Sequence, residues 1–497
     1  MQFLPRNIER IHVKNLTILI ISMVFYAAAA FAGEVEDGDA AVVKKDYVTA
    51  LNKYKSAAAK NNAYAQYQVG NLYNEGLGVK QDYAEAVNWY NFAAAQGFAS
   101  AQFNLGLMYA NGQGVVQDYA EAIRWYKLAA AQGNASAQHN LGLIYDYGKG
   151  VQQDYAEAVR WYTLAATQGF KKSQYNLGVI YQAGQGVQQD YAEAVRWFKL
   201  AAAQGDASAQ NNLGLMYANG QGVVQDYVEA VRLYKLAAAQ GFVQAQFLLG
   251  LMYDNGQGVV QDYAEAVRWY KLAAAKEFAP AQVNLGLMYA GGQGVVQDYV
   301  EAVRLYKLAA AQGDASAQFN LGLMYIAEHG VKQDYAEAVR LFKLAAAQGI
   351  VLAQFNLGFL YDMGQGVQQD YAEAVRWYKL ASEQGEVRAQ FNLGLMYANG
   401  QSIIQQDYAE AVRWFKLAAA QGFVQAQFNL GIMYANGQGV LQDNIRTYMW
   451  FNIAGIKGHK DAMNNRDIAA SKMTQQQVIE SQKLADDCIA RDFKNCD

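Results

Sequence analysis

The sequence predicts an all-α fold, a right-handed superhelical α-solenoid of about twelve stacked antiparallel helix pairs, and three observations carry the prediction. One Asp recurs every 36 residues, at Asp46, Asp82, Asp118, Asp154, Asp190, Asp226, Asp262, Asp298, Asp334 and Asp370, with Asp407 after 37 and Asp443 after another 36. A fixed period of this length marks a repeat architecture. Each unit holds two apolar stripes at helical spacing. The composition is skewed as copying would skew it, with 45 glycines, 36 tyrosines and eight tryptophans beside only two prolines in 497 residues.

The chain begins differently from everything that follows. Arg6, Arg10 and Lys14 precede an apolar run from Leu16 to Ala30, and Ala30-Phe31-Ala32 supplies small residues two apart. This is the layout of a secretory signal peptide over residues 1–32, cleaved before Gly33. An uncleaved anchor is the alternative, because Leu16 to Ala32 is 17 residues, at the short limit for spanning a bilayer. The expected location is an exported one, periplasmic first, secreted or cell-surface as alternatives, with no membrane insertion after cleavage. Residues 33–45 then read as an N-terminal cap, 46–461 as the repeats, and 462–497 as C-terminal capping helices and a tail, with no domain boundary from 33 onward.

The second copy shows the unit. In its first helix Ala101, Leu105, Met108 and Tyr109 fall at i, i+4, i+7 and i+8, a single apolar stripe. Gly106 lies beside the stripe, where a missing side chain lets a neighbour come close and offsets a helix-propensity cost of about 1 kcal/mol. Gly112 and Gly114 stop the helix and turn the chain. Asp118 stands where a carboxylate accepts from the free N–H groups of a second helix. Ala122, Trp125, Tyr126 and Ala129 form that helix's stripe, and Gly133 ends it. All eight tryptophans occupy the Trp125 position, where other copies have Leu233, Leu305 and Leu341, so they read as packing rather than as a cofactor box. A pair of this size cannot bury its stripe alone, so the copies must stack.

These residues carry a family resemblance. Ala-Gln-x-Asn-Leu-Gly-x-Met-Tyr, Gly-x-Gly-Val-x-Gln-Asp-Tyr and Ala-Val-Arg-Trp-Tyr-x-Leu-Ala-Ala-x-Gln-Gly resemble Sel1-like repeats, relatives of tetratricopeptide repeats, over about residues 46 to 462. The end of the chain, from Tyr448-Met449-Trp450-Phe451 to a helix starting at Met473-Thr474, is similar to the finish of exported bacterial members. The resemblance implies a superhelical adaptor that binds protein or peptide partners without catalysis. Exported relatives are implicated in envelope maintenance, signalling and contact with host proteins.

Departures from the pattern mark expected irregularities. Glu277 replaces a helix-ending Gly, Glu328 breaks Gly-x-Gly before Gly330, and the one-residue insertion lies at Gln401-Ser402-Ile403-Ile404-Gln405.

Positions that vary between copies are the candidates for function. Two residues after the Ala of Ala-Gln come Tyr67, Phe103, His139, Tyr175, Asn211, Phe247, Val283, Phe319, Phe355, Phe391 and Phe428. In tetratricopeptide relatives the matching face lines a concave ligand groove. One reading makes these residues a groove for an apolar or extended polypeptide, flanked by Asn111, Asn219, Asn255, Asn399 and Asn436 as hydrogen-bonding groups. The other packs the rings, partly buried, against the previous copy's helices. Lys172 and Arg388 are isolated there, so no basic clamp for a carboxylate terminus is visible.

Catalytic chemistry is not written in the chain. Its four histidines are scattered, no His, Cys or carboxylate cluster has metal-ligand spacing, and no nucleophile elbow or phosphate loop occurs. The repeated Asp and Glu residues read as caps and solvated groups, so no enzyme, metal or cofactor is expected. Some cysteine-rich Sel1-like proteins are labelled β-lactamases, but the paired cysteines within their repeats have no counterpart here. A net charge of -4, about -6 once a leader carrying a net +2 is removed, argues against nucleic acid. Cys488 and Cys496 are the only cysteines. They can pair in an oxidising compartment if Arg491 to Asn495 turns back, because a continuous helix would hold them about 12 Å apart. Thr474 and Gln477 suggest a capping box opening the last helix, whose Val478, Leu484 and Ile489 are expected to cover the end of the stack.

Overall fold

A short amphipathic helix pair stays folded only by leaning on the next pair, and the computed structural model shows that arrangement repeated along the chain. It describes residues 32–400, 405–494 and 496. Among the described residues there are 26 helices and no strand. A first pair, Ala32–Val43 and Tyr47–Ala59, is followed by eleven pairs that run from Ala63–Glu75 to Asn444–Ile456, and then by Lys460–Ala470 and Gln475–Ala490. The twelve pairs agree with the expected number. Each pair consists of an A helix and a B helix, Ala99–Asn111 and Tyr119–Ala131 in the second copy.

The helices group into two compact units, up to Leu236 and from Ala237 onward, where the sequence places no boundary. Within each unit a helix packs mainly on its neighbours in the chain. The expected leader, save its last residue, and all of the insertion segment 401–405 but Gln405 lie outside the described residues. No helix among those described is long and apolar enough to cross a membrane.

The turns are built as the sequence indicates. Gly112 ends the A helix at φ 67°, and its N–H donates to the Met108 carbonyl. The Asp118 carboxylate then accepts from the N–H groups of Ala120 and Glu121, opening the B helix. The equivalent carboxylates of Asp82, Asp154 and Asp190 cap in the same way.

Close approach explains the mid-helix glycine. A methyl group on Gly106 would stand 2.5 Å from the Tyr126 ring of its own B helix, and Gly142 and Gly178 meet Tyr162 and Phe198 as closely. Gly114 lies against the backbone of Tyr83 in the preceding copy, where an added methyl would meet it at 2.4 Å. One glycine thus sets the spacing inside a pair and the other sets it between pairs. Buried Gln102 adds a polar tie, donating to the Ala94 carbonyl of the preceding B helix and accepting from Gln132 at the end of its own.

The expected irregularities divide. Glu277 takes up the left-handed conformation at φ 60°, and the helix before it, Tyr263–Ala274, ends one residue short of the other B helices. Glu328 also sits at φ 58°, yet the A helix Ala315–Ala327 keeps its full length. Both side chains are held where glycine normally stands because the surrounding pairs dictate the turn.

At the C-terminus Thr474 and Gln477 form the expected capping box. The buried face of that helix is Ser481, Ala485 and Cys488, not Val478, Leu484 and Ile489. Leu484 contributes partly, and Ile489 remains 37% exposed. Small residues win this face because they let the helix lie close on Asn444–Ile456. The chain turns back at Asp492 and Phe493, both at positive φ, and Cys488 and Cys496 form a disulfide.

Two substitutions test these contacts in opposite directions. Gly106→Ala forces a methyl into the Tyr126 ring and should destabilise by about 1–3 kcal/mol. Glu328→Gly relieves a left-handed side chain and, after the added freedom of the unfolded chain, should stabilise by about 0.5–1 kcal/mol. Urea unfolding midpoints measured on both variants check the signs.

Candidate functional site

The A helix presents two kinds of surface. Ala101, Leu105 and Met108 are buried between neighbouring helices, and the positions that vary between copies lie along the remaining face. Phe103, Tyr175, Phe247, Phe319, Phe355, Phe391 and Phe428 are half-buried there, whereas Tyr67, His139, Asn211 and Val283 are buried. Each ring tilts onto the B-helix ring of its own pair. Phe103 meets Tyr126 with centroids 5.9 Å apart, and Phe319 meets Phe342 at 5.7 Å. The rings therefore pack forward, onto the following B helix, rather than onto the previous copy as one reading of the sequence had it.

The residue that caps the next A helix meets several of these rings. Phe98 covers Tyr67, Phe278 covers Phe247 and Phe423 covers Phe391, at 5.1, 5.4 and 5.1 Å. A capping Asn or Glu brings no ring, whereas the capping His459 stacks on Phe428 at 4.3 Å. Asn134 stands at the equivalent place after Phe103, and after Phe355 stands Glu386, with the Arg388 guanidinium 4.4 Å from the Phe355 ring centre. Asn111, Asn219, Asn255, Asn399 and Asn436 are all exposed at the ends of their A helices.

A second polar row was not singled out from sequence, although its Asn belongs to the repeated motif. The Asn392 amide donates to the Tyr378 hydroxyl at 3.0 Å, and Asn284 does the same to Tyr270 at 3.3 Å. The tyrosine hydroxyls in turn donate to Asp146, Asp254 and Asp362, through Tyr162, Tyr270 and Tyr378. These three carboxylates occupy one A-helix position in every third copy. Burial pushes Asp362 above the usual carboxylate range. Burial, reinforced by Asp146, does the same to the Tyr162 hydroxyl.

His139 belongs to the interior. Its Nδ1 lies 2.9 Å from the hydroxyl of Ser173, a fully buried residue standing where other copies have Ala. The pair is a compensated substitution: a polar ring at one position is matched by a hydroxyl in the next copy. Burial, helped by the charge of Lys172, lowers the imidazole pKa to about 3. A buried neutral ring of this kind is not offered to a partner. Among the described residues no group of three or more His, Cys, Asp or Glu could hold a metal ion.

On the opposite face, Glu121 pairs with Arg124, and the Arg124 guanidinium lies 4.0 Å from the Trp125 ring centre. The same arrangement recurs at Glu193, Arg196 and Trp197. The tryptophans are thus packing residues under a charged surface, as their single repeated position indicates.

A family model described as Sel1 repeat matches eleven consecutive segments of the chain, from residues 63–98 to 424–459. Among solved structures, the chain is similar to a protective antigen present in uropathogenic Escherichia coli strains that displays an SLR fold. Identity is 35%, the TM-score is 0.80, and the match covers 90% of this chain and 96% of that one. It is also similar to a Sel1 repeat protein from Oxalobacter formigenes, at 34% identity and a TM-score of 0.52, over 62% of this chain and 89% of that one. No curated protein sequence matches the chain.

His139 gives the stability of the fold a measurable pH dependence. Its ordinary pKa is 6.5 and its folded pKa about 3, so the unfolded chain takes up a proton that the native chain refuses between those values. The contribution is intact above pH 6.5 and is lost as the pH falls toward 3, which amounts to about 2–3 kcal/mol by pH 4.5. The double variant His139→Phe with Ser173→Ala, which installs residues other copies use, should lose less stability between pH 7 and 4.5 than the parent. Urea unfolding at the two pH values measures the difference.

Proposed function

Since the chain belongs to the Sel1 repeat family, we propose that it is an exported, non-enzymatic scaffold that binds protein or peptide partners along its A-helix face. Sel1 repeat solenoids generally serve as protein-interaction scaffolds. The observation that carries the reading for this chain is the row of half-buried rings at positions the fold leaves free to vary. Each ring is anchored by a B-helix ring beneath it, so it offers a rigid apolar surface at little entropic cost, the property of residues that dominate binding energy. Exposed Asn111, Asn219 and Asn399 supply hydrogen bonds beside it.

The absence of catalysis is supported by the use already made of the repeated carboxylates. Asp118 and its equivalents cap helices, and Glu121 and its equivalents pair with Arg at i,i+3. Export is supported by the leader and by the Cys488–Cys496 disulfide, which suits an oxidising compartment. Roles in envelope maintenance or signalling fit a periplasmic scaffold. A second reading, a secreted or surface factor that binds host proteins, is favoured by the relative that is described as a protective antigen. Cell fractionation separates the two.

Crosslinked co-purification of the mature protein from its own cell envelope tests the scaffold reading. The variant Phe319→Ala, Phe355→Ala, Phe391→Ala should lose the captured partner while keeping its helical circular dichroism. Retention of the partner would contradict the reading. Loss of helicity would show that the three rings serve the core.

A further inference from the structure

We propose that the exposed face of the A helix Val351–Met363 docks an extended polypeptide segment in which apolar residues are followed by Lys or Arg, the cation being received by Asp362. The inference rests on the scaffold reading and narrows it to one helix and one partner chemistry.

Among the described A helices this one exposes the most large apolar side chains. Leu352, Phe355, Phe359 and Met363 lie at i, i+3, i+7 and i+11, along one face. Leu352 is 40% exposed, Phe359 39% and Met363 51%, with Phe355 half-buried between them. The neighbouring copies carry Ser316 or Arg388 at the first place, Leu323 or Leu395 at the third, and Ala327 or Asn399 at the last. Four apolar side chains in line, from one end of the helix to the other, form a surface that gains by being covered.

Charge selects the occupant. Asp362 is half-buried in the last turn of the helix, receives only the Tyr378 hydroxyl at 3.5 Å, and takes part in no ion pair among the described residues. A half-buried carboxylate without a counter-ion is costly, and an arriving ammonium or guanidinium relieves the cost. Arg388, beside the stripe, is committed elsewhere: it sits over Phe355 and is paired with Glu386 at 2.7 Å. The face therefore has a direction, apolar from Leu352 and cation-seeking at Met363. The two ends are about 16 Å apart along the helix, a distance about five extended residues span.

Random dodecapeptides displayed on phage, panned on the mature protein, test the inference. Two variants serve as controls, Leu352→Ser with Phe359→Leu and Met363→Asn, and separately Asp362→Ala. All four replacements are residues that other copies carry at the same places, and helical circular dichroism checks that both variants fold. Enriched peptides should place Lys or Arg shortly after apolar residues, and a synthetic copy should bind the triple variant at least tenfold more weakly. Asp362→Ala should abolish preference for that peptide over its Lys-to-Glu counterpart. Four results would overturn the inference: no enrichment, enrichment without basic residues, unchanged binding to the triple variant, or a dimer of the mature protein that the triple variant dissolves, which would make a second copy the occupant. With the envelope partner still captured, any of these overturns this inference alone. The scaffold reading fails separately, if the mature protein captures no partner.

Discussion

Every full copy depends on one contact, the B-helix Tyr or Phe ring seated on the A-helix glycine. At Gly106 and Tyr126 the separation leaves no room for a single methyl group, so the helices of a pair have one distance at which they fit. The consequences reach both faces of the pair. The ring is fully or almost fully buried, and a tyrosine hydroxyl arrives where the A-helix Asn and Asp residues can meet it. Where Phe replaces Tyr, that partner is missing and the Asn turns to its own helix, as Asn356 does to Leu352 and Asn429 to Gln425. The packing contact and the polar row are therefore one system.

The same contact separates structure from function. Glycine, ring, cap and bridging Gln are committed to holding copies together, so substitution there acts on stability. What remains on the A helix is a face whose residues rest on this frame without being required by it. The outer B-helix face is conservative by comparison, with repeated Glu–Arg pairs over tryptophan. Exposed pairs of that kind contribute little to stability, and their uniformity gives no address for a particular partner. Variety is greatest on the A-helix face, which is where recognition has room to differ from copy to copy.

Much of this was legible in the residues. The Asp caps, the left-handed glycines, the two stripes and the twelve pairs follow from periodicity and local backbone preference. The bridging role of Gln102 was not legible, because its two partners are brought to it only by stacking. Neither was the match of His139 with Ser173, 34 residues apart, in a chain whose other copies carry Ala at the Ser173 position. The ring at Phe103 could be read as groove or core; it is half-buried on Tyr126, which the residues did not show because that packing partner lies on a helix whose angle the sequence does not state. The last helix was misjudged because large apolar residues were favoured over Ser481, Ala485 and Cys488, which allow closer approach.

The central claim is that recognition belongs to the A-helix face and stability to the contacts beneath it. The structure of the captured complex tests this most directly. The account predicts the partner lying along the A helices, in contact with the rings at Phe319, Phe355 and Phe391. A partner seated instead on the B-helix face, over the Arg and Trp residues, would contradict it.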